Sequence, residues 1–383
     1  MRRFLVSFIS AVLIITGVLP EHIISGVCAD IPEISAKSAV LISADTGEII
    51  FEKDCRKKLP MASTTKIMTV LLTIESGGLY EEFVVDSEAI KVEGSSMGLR
   101  EGDTVTKYAL CVGMLLPSGN DAANAAAVRI AGSIPAFADM MNCKARELGL
   151  SHTFFVTPSG LEGEGHGSSA FDMAILAREA LRNDVFSSIC SQQSMEVEFG
   201  APPYRRWLKN TNKLLSMCEG VYGVKTGFTD EAGRCLVSAC ERDGKKLICV
   251  TLNDRNDWED HAELYGYGFS VTKTVKAELP PVELDIVGGT SEKIPLRYGI
   301  EDVDITIRDV MPDLEYTVIS PPFVYAPAAE GDEVASMRIS WGGREIASVP
   351  LYAAENVPQA PQHSRKKTGK LRKFVSKLRK IFF

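Results

Sequence analysis

Residues 59–69 read Leu59-Pro60-Met61-Ala62-Ser63-Thr64-Thr65-Lys66-Ile67-Met68-Thr69. From Ser63 onward the apolar residues recur at the spacing of one helix face, and Ser76-Gly77-Gly78 ends that pattern. The sequence therefore predicts a helix that begins near Ser63. Because side chains three residues apart share a face of a helix, we expect Lys66 to lie within reach of the Ser63 hydroxyl.

This Ser-x-x-Lys pair points to nucleophilic catalysis. A serine hydroxyl is a poor nucleophile until a base removes its proton. A lysine serves as that base only when burial or a neighbouring positive charge lowers its pKa. We therefore predict Ser63 as the nucleophile and Lys66 as the proton acceptor. The helix start also places partial positive charge near the oxyanion that would develop.

A second motif, Ser118-Gly119-Asn120, interrupts a helical stretch over residues 108–132. Ser118 can relay a proton to a leaving amine. Asn120 can hold both Lys66 and the amide of a substrate. This motif is therefore expected to face the same site as Ser63.

The third motif is Lys225-Thr226-Gly227, on a predicted strand. Lys225 and Thr226 can bind a substrate carboxylate, and Lys225 also supplies a positive charge that would lower the pKa of Lys66. Gly227 leaves room for the backbone of a substrate to lie beside the strand. Each motif is weak alone, because Ser-x-x-Lys and Lys-Thr-Gly recur elsewhere. Among these copies, only Ser63 opens a predicted helix after a hairpin, and only Lys225 lies on a predicted strand.

The surrounding pattern predicts an α/β domain followed by a small all-β domain. Short apolar runs at 39–43 and 48–51 flank an Asp/Gly turn, which indicates a β-hairpin. Helical stretches follow at about 135–148 and 170–182, and residues 236–239 and 247–252 are predicted to form adjacent strands. One sheet is thus expected to join the two ends of this domain. After about residue 276, short alternating segments separated by Pro and Gly indicate the β domain.

Taken together, the motifs resemble the serine penicillin-recognising enzymes, which include penicillin-binding proteins and class A β-lactamases. The resemblance covers roughly residues 30–275. It is strongest to the low-molecular-mass D-alanyl-D-alanine carboxypeptidases, on residues 59–69, 115–123 and 223–233. Residues 282–356 look like the C-terminal β domain of that family.

This resemblance implies a β-lactamase/transpeptidase-like fold, an antiparallel sheet flanked by helices with a helical subdomain. It implies that Ser63 is acylated, Lys66 accepts its proton, Ser118 is a second catalytic serine and Lys225 binds substrate. The implied reaction removes the C-terminal D-alanine from peptidoglycan pentapeptide stems, with β-lactams as covalent inhibitors. The alternatives are a β-lactamase or D,D-transpeptidase using the same acyl-enzyme, or a non-catalytic β-lactam- or wall-binding protein.

Five further residues near the motifs need an interpretation. Class A β-lactamases carry an arginine at the position of Arg234, nine residues after Lys225, which implies a role in binding the substrate carboxylate. His166 and Asp172 superficially resemble a zinc D,D-peptidase motif, but the spacing is one residue short. We therefore expect no metal and no cofactor. Glu162 and the neighbouring Glu164 are expected to be solvated loop acids.

The two ends of the chain predict export and membrane association. Residues 1–29 combine a basic start, an apolar run and Val27-Cys28-Ala29, which is typical of a signal peptide; the alternative is a retained membrane anchor. Residues 363–383 carry nine Lys or Arg and no acid. Apolar residues recur there at helical spacing: Leu371, Phe374, Val375, Leu378, Ile381 and Phe382.

Together with the family that the motifs resemble, these patterns predict an exported protein at the outer face of the bacterial cytoplasmic membrane or in the cell wall space. The tail at 363–383 is expected to bind an anionic membrane surface, as an amphipathic basic helix behind a linker that begins near residue 361. A disordered tail that touches anionic wall polymers is the alternative. The net charge of −8 includes this basic tail, so the rest of the chain is acidic, which argues against nucleic acid as a partner. The cysteines show no disulfide framework, and free buried thiols are favoured.

Overall fold

The computed structural model describes residues 30–309 and 313–361. The predicted signal peptide and most of the predicted tail lie outside these residues. Among the described ranges, no helix combines the length and apolar character required to cross a bilayer.

Eight α-helices and seventeen β-strands are described, with one 3-10 helix at Ala62–Thr65 that runs directly into α1. In chain order they are β1 Ser38–Ser43, β2 Ile49–Lys53, α1 Lys66–Glu75, β3 Glu82–Val84, β4 Thr104–Thr106, α2 Lys107–Leu115, α3 Asn120–Ala131, α4 Ile134–Glu147, α5 Ala170–Leu181, α6 Asp184–Cys190, β5 Ser194–Gly200, β6 Pro203–Lys209, α7 Leu214–Met217, β7 Val221–Thr229, β8 Gly233–Arg242, β9 Lys245–Leu252, α8 Asp257–Val271, β10 Lys273–Ala277, β11 Val282–Val287, β12 Lys293–Tyr298, β13 Val303–Ile307, β14 Glu315–Ile319, β15 Val324–Tyr325, β16 Glu333–Trp341 and β17 Arg344–Ala353.

The central sheet has the order β2-β1-β9-β8-β7, and its paired strands are antiparallel. Strands from the start of the domain thus pair with strands from its end, as the sequence predicts. Strand β1 is buried along its whole length, because α5 packs on one face of the sheet and α8 on the other. Alternate β1 residues accordingly belong to two separate cores: Val40 and Ile42 to one, Ala39 and Leu41 to the other.

Strand β7 is the outer strand of this sheet, since β8 is its sole partner in the described structure. The 3-10 helix that carries Ser63 packs against β7. Helices α1 to α4 and α6 form the helical region beside the sheet, around a core of buried alanine, leucine and methionine. The motif-bearing segments therefore meet where the helical region borders the free edge of β7.

The second unit is built from β-strands only. Six of them form a sheet in the order β14-β16-β17-β12-β11-β15, and β10 pairs with β13 beside it. The short alternating segments that follow residue 276 are strands: 282–287, 303–307, 315–319, 333–341 and 344–353. The unit touches the first one at the β1–β2 turn, where Thr306 N–H donates to the Asp45 carboxylate over 2.8 Å and Arg308 N–H donates to Glu48 over 3.0 Å.

Candidate active site

The 3-10 helix and α1 bring Ser63 and Lys66 together, as their spacing predicts. Ser63 is half-buried, whereas Lys66 is fully buried. The amine Nζ of Lys66 lies 2.8 Å from the Ser63 hydroxyl oxygen. It also lies 2.7 Å from Asn120 Oδ1 and 2.7 Å from the Ser159 carbonyl oxygen.

Burial sets the protonation of Lys66. It lowers the pKa of Lys66 well below the ordinary value, and the charge of Lys225 lowers it further, while Asp121 opposes this shift. A neutral lysine amine has two N–H groups and one lone pair. Asn120 Oδ1 and the Ser159 carbonyl can act only as acceptors, so they take both N–H groups. The lone pair is then left to accept the proton of the Ser63 hydroxyl.

The break between α2 and α3 contributes Ser118 and Asn120. Ser118 is buried and lines the same cleft as Ser63. Its φ of +67° lies in the left-handed region, which a non-glycine residue adopts at a cost and which is found in turns and at active sites. Asn120 begins α3, and its Nδ2 donates to the Glu93 carbonyl over 2.7 Å. That bond fixes the amide so that Oδ1 faces Lys66.

Asp121 is a part of the site that the sequence analysis does not identify. Its buried carboxylate accepts hydrogen bonds from the N–H groups of Met97, Gly98 and Leu99, at 2.9, 3.0 and 3.0 Å, and from the Ser96 hydroxyl at 2.6 Å. One carboxylate thus holds the loop 95–99 against the start of α3. Ser95 of this loop lines the cleft beside Ser118.

Strand β7 forms the other wall, which Thr226 and Gly227 line, with the Lys225 side chain buried beside them. Lys225 is buried and its Nζ donates to the Thr226 carbonyl over 2.8 Å. Burial lowers the pKa of Lys225 to about 7. The Thr226 hydroxyl faces the cleft and lies 2.7 Å from the hydroxyl of Thr211, a second residue that the sequence analysis does not identify.

Gly227 is where β7 approaches the nucleophile most closely. A Cβ atom at this position would lie 3.1 Å from the backbone nitrogen of Ser63 and 3.0 Å from the Met61 carbonyl oxygen. Such contacts are tighter than ordinary side chains make. The absence of a side chain therefore allows the strand and the 3-10 helix to touch.

The segment 156–167 closes the site behind Lys66. Val156 N–H donates to Nδ1 of His166 over 2.9 Å, so Nε2 carries the proton and donates to the Thr65 hydroxyl over 2.9 Å. Burial and the charge of Lys58 lower the pKa of His166 to about 4, which keeps the ring neutral. In the same segment, Gly160 has a φ of +87°, and a Cβ there would lie 2.0 Å from the Ala62 carbonyl oxygen.

Arg234 reaches the same cleft from β8, opposite Phe228. Its guanidinium pairs with the carboxylate of Asp257 at the start of α8 and lies 5.3 Å from the centre of the Trp258 ring. The side chain is 41% exposed. Asp257 therefore offsets part of the positive charge that Arg234 brings to the cleft.

The remaining candidates lie beside this site. Glu162 and Glu164 are exposed and line a cavity next to Met61. Asp172 accepts from His152 N–H over 2.7 Å and from the Thr153 hydroxyl over 2.8 Å, so it holds the loop before α5. Within the described part of the chain, no group of three or more His, Cys, Asp or Glu side chains is placed to hold a metal ion.

Comparisons with known proteins agree with this arrangement. The model of the D-alanyl-D-alanine carboxypeptidase family, peptidase family S11, matches residues 26–256. The chain is 32% identical to D-alanyl-D-alanine carboxypeptidase DacF of Bacillus subtilis, over 85% of this chain and 86% of the relative. It is also 32% identical to D-alanyl-D-alanine carboxypeptidase DacC of Escherichia coli, over 86% of each chain.

Solved structures show the same similarity. Penicillin-binding protein 5 of Haemophilus influenzae matches with a TM-score of 0.61 and 26% identity, over 86% of this chain and 99% of that one. The Streptomyces K15 DD-transpeptidase matches with a TM-score of 0.60 and 29% identity, over 63% of this chain and 99% of that one. The predicted fold class is thereby confirmed. The chain belongs to the D-alanyl-D-alanine carboxypeptidase family and is a serine-type hydrolase of the penicillin-binding protein class.

Proposed function

We propose that Ser63 is the residue acylated during removal of the terminal D-alanine, and that Lys66 is its base. The observation that carries this proposal is the set of three partners of Lys66 Nζ. Two are carbonyl oxygens and the third, at 2.8 Å, is the Ser63 hydroxyl. A neutral Lys66 has one use for its lone pair in this arrangement, which is to take the serine proton.

Groups on the two walls of the cleft supply the steps of the reaction. Ser63 Oγ attacks the carbonyl carbon of the terminal peptide bond while Lys66 takes the proton. The backbone N–H of Ser63, at the start of a helix, has no acceptor within its own helix and can donate to the oxyanion. The proton taken by Lys66 then reaches the leaving D-alanine amine through the Ser118 hydroxyl, which gives one proton and accepts another, and water hydrolyses the ester to free Ser63.

The free edge of β7 supplies the substrate site. An extended peptide can pair with the unpaired backbone of an edge strand, which positions its scissile bond beside Gly227. The ammonium of Lys225 and the hydroxyl of Thr226 then bind the terminal carboxylate, while Asn120 holds the preceding amide. In this proposal Arg234 adds positive charge at the far end of the cleft, reduced by Asp257. A bound carboxylate would raise the pKa of Lys225 and hold it protonated.

The test is a soluble pentapeptide stem that ends in D-Ala-D-Ala. Wild-type protein should release D-alanine, and labelled penicillin should attach to Ser63. Ser63→Ala should lose both activities, while Ser270→Ala, in the repeated Ser-x-x-Lys motif at the end of α8, should keep both. Labelling of the Ser63→Ala protein would assign the acyl-enzyme to another serine. An added amine acceptor that captures the acyl group in place of water would favour the transpeptidase.

We further propose that the polypeptide is exported and that its basic tail holds it at the membrane. The supporting observations are the signal-like residues 1–29, the basic amphipathic pattern within 363–383 and the cell-wall substrate of the family. We also propose the domain boundaries: a signal peptide over 1–29, a peptidase domain over 30–275, a β domain over 276–360, and a linker and tail over 361–383. Each basic residue near an anionic surface contributes about 1 kcal/mol.

Vesicle sedimentation separates the tail from the catalytic domain. The full chain should bind anionic vesicles at low salt and less tightly at high salt. Deletion of residues 363–383 should release it, with D-alanine release from a soluble peptide unchanged. Phe374→Asp with Leu378→Asp removes the apolar part, and Lys373→Glu with Lys377→Glu removes part of the charge. A full chain that stays in solution with anionic vesicles would contradict the membrane proposal and favour the wall polymer as the partner.

A further inference from the structure

Two cysteines lie together at the end of β7 that is remote from the nucleophile. Cys218 follows α7 and is partly exposed, whereas Cys240 lies in β8 and is fully buried. The Cys240 thiol donates to the carbonyl of Glu219, the residue after Cys218, over 3.4 Å. Strand pairing brings the two cysteines together, because Val221 pairs with Cys240 and its N–H donates to the Cys218 carbonyl over 3.3 Å.

The two sulfurs lie in different electrostatic surroundings. Arg242 Nη2 donates to the sulfur of Cys218 over 3.2 Å, and its Nε donates to the Glu219 carbonyl over 2.9 Å. The neighbouring Cys240 thiol, together with the charge and the hydrogen bond of Arg242, lowers the pKa of Cys218 to about 6. The pKa of Cys240 is raised by the Cys218 sulfur and by burial. Cys218 is therefore the thiolate of the pair, and Cys240 keeps its proton.

The other buried cysteines differ from this pair. Burial is the main reason that each of their thiols has a raised pKa, so they remain unreactive thiols of the core: Cys55, Cys111, Cys190, Cys235 and Cys249. A cysteine with a low pKa, access to solvent and a second thiol in contact is the arrangement of a redox-active pair.

We propose that Cys218 and Cys240 form a redox-active pair, which closes to an intramolecular disulfide by exchange with a disulfide donor. The Cys218 thiolate attacks one sulfur of the donor, the donor S–S bond breaks, and one donor thiolate leaves. The Cys240 sulfur then attacks Cys218 in the mixed disulfide. Its proton passes to the second donor thiolate as that group leaves. Two protein thiols are oxidised, and one donor disulfide is reduced to two thiols.

The bond would join the segment before β7 to β8. That segment begins at Thr211, whose hydroxyl contacts Thr226, and continues with Asn212, whose Nδ2 donates to the Gly223 carbonyl over 3.0 Å. Oxidation therefore fixes the far end of the segment that borders the carboxylate site. Lys225 lies four strand residues beyond Val221, about 13 Å away at ordinary strand rise. We accordingly expect acylation to continue after oxidation, with a change of less than about two-fold.

The experiment uses the full chain, reduced and then treated with glutathione disulfide. Digestion with trypsin without reduction should yield peptide 214–225 linked to peptide 235–242. The second peptide also contains Cys235, so fragmentation must place the bond on Cys240. In Cys240→Ser the second step is lost, so glutathione should stay on Cys218. Cys218→Ser should give neither product. Oxidised wild-type protein should also unfold at a temperature several degrees higher than the reduced form.

Cys143 provides the matched control. It is exposed and its sulfur accepts from Arg146 Nη2 over 3.0 Å, but no thiol contact is found for it in the described part of the chain. Cys143→Ser should therefore leave the linked peptide unchanged. Stable glutathione on Cys218 of the wild-type protein, or a bond to Cys235, would overturn the proposal. Penicillin labelling of each variant checks that it is folded, and Cys240→Ala replaces Cys240→Ser if the buried hydroxyl prevents folding.

Discussion

The amine of Lys66 lies 2.8 Å from the hydroxyl of Ser63, and both of its other partners are carbonyl oxygens. Removal of this amine should therefore remove the base and leave the nucleophile. We expect Lys66→Ala to slow acylation by penicillin by roughly 10²–10⁴-fold. Stopped-flow or quenched labelling measures the rate, and circular dichroism checks the fold. Lys57→Ala, at an exposed position before the helix, should acylate normally. Normal acylation by Lys66→Ala would refute the role of this lysine as base.

The two buried lysines of the site should give kcat/KM a bell-shaped dependence on pH. Lys66 acts when neutral, so activity falls as pH drops through its lowered pKa. Lys225 binds carboxylate when protonated, so activity falls as pH rises through its pKa of about 7 in the free enzyme. Because the two groups interact, the measured limbs belong to the pair.

The variant Lys225→Arg keeps a positive charge at high pH and should move the alkaline limb upward. The comparison is the pH profile of D-alanine release, with Lys293→Arg in the β domain as the control. An alkaline limb that does not move would belong to a group other than Lys225.

The close approach of Gly227 to Ser63 predicts a specific steric effect. In Gly227→Ala, the new methyl group would lie 3.1 Å from the Ser63 backbone nitrogen, so strand and helix must separate slightly. A displacement of this kind near the reacting atoms can cost on the order of 10²-fold in rate. The measurement is the acylation rate together with Tm. Gly266→Ala, at a helical position with open space around it, should leave the acylation rate unchanged and raise Tm slightly, because alanine favours a helix interior over glycine. An active Gly227→Ala would show that the contact is not needed.

The carboxylate of Asp121 should be needed for the loop 95–99 to stay in place. Asp121→Ala would leave the buried N–H group of Met97 without an acceptor, at a cost of about 1–3 kcal/mol, and would release the partly buried N–H groups of Gly98 and Leu99. We expect a lower Tm and slower acylation, with part of both restored in Asp121→Asn, whose oxygen can still accept. Asp139→Asn, at an exposed position of α4, is the control. Unchanged acylation and Tm in Asp121→Ala would contradict a positioning role.

The sequence predicts the elements that have a strong periodic pattern. The hairpin β1–β2, helix α1 and the break between α2 and α3 all appear where their apolar spacing and turn residues indicate. Helix α8 is missed, because Gly266 and Gly268 and its mixture of acids and aromatic residues hide the helical period. The hairpin β5–β6 is also missed, although Met195, Val197 and Phe199 alternate with exposed polar residues in the pattern of a half-buried strand.

The site shows a similar division. The motifs identify Ser63, Lys66 and Lys225 by residue type and order, and the fold brings these residues together at one cleft. The Ser159 contact with Lys66 is made by a backbone carbonyl, which any residue could supply, so no side-chain pattern reveals it. The partner of Arg234 is Asp257, 23 residues along the chain on the helix that was missed. The sequence therefore gives no sign that Asp257 compensates the charge of Arg234.

The unpaired edge of β7 has a consequence for the behaviour of the protein in concentrated solution. An exposed strand edge is a template on which other chains can add a strand, and proteins commonly protect such edges with charges, proline or a bulge. On β7 the lysine is buried, and the neighbouring Phe228 is 62% exposed. Proline would remove an N–H group that a bound peptide needs, and the register shift in β7, between Val221 and Gly223, lies away from the part of the edge at Gly227. Self-association through this edge should therefore compete with substrate, and a β-lactam bound covalently at Ser63 should suppress it.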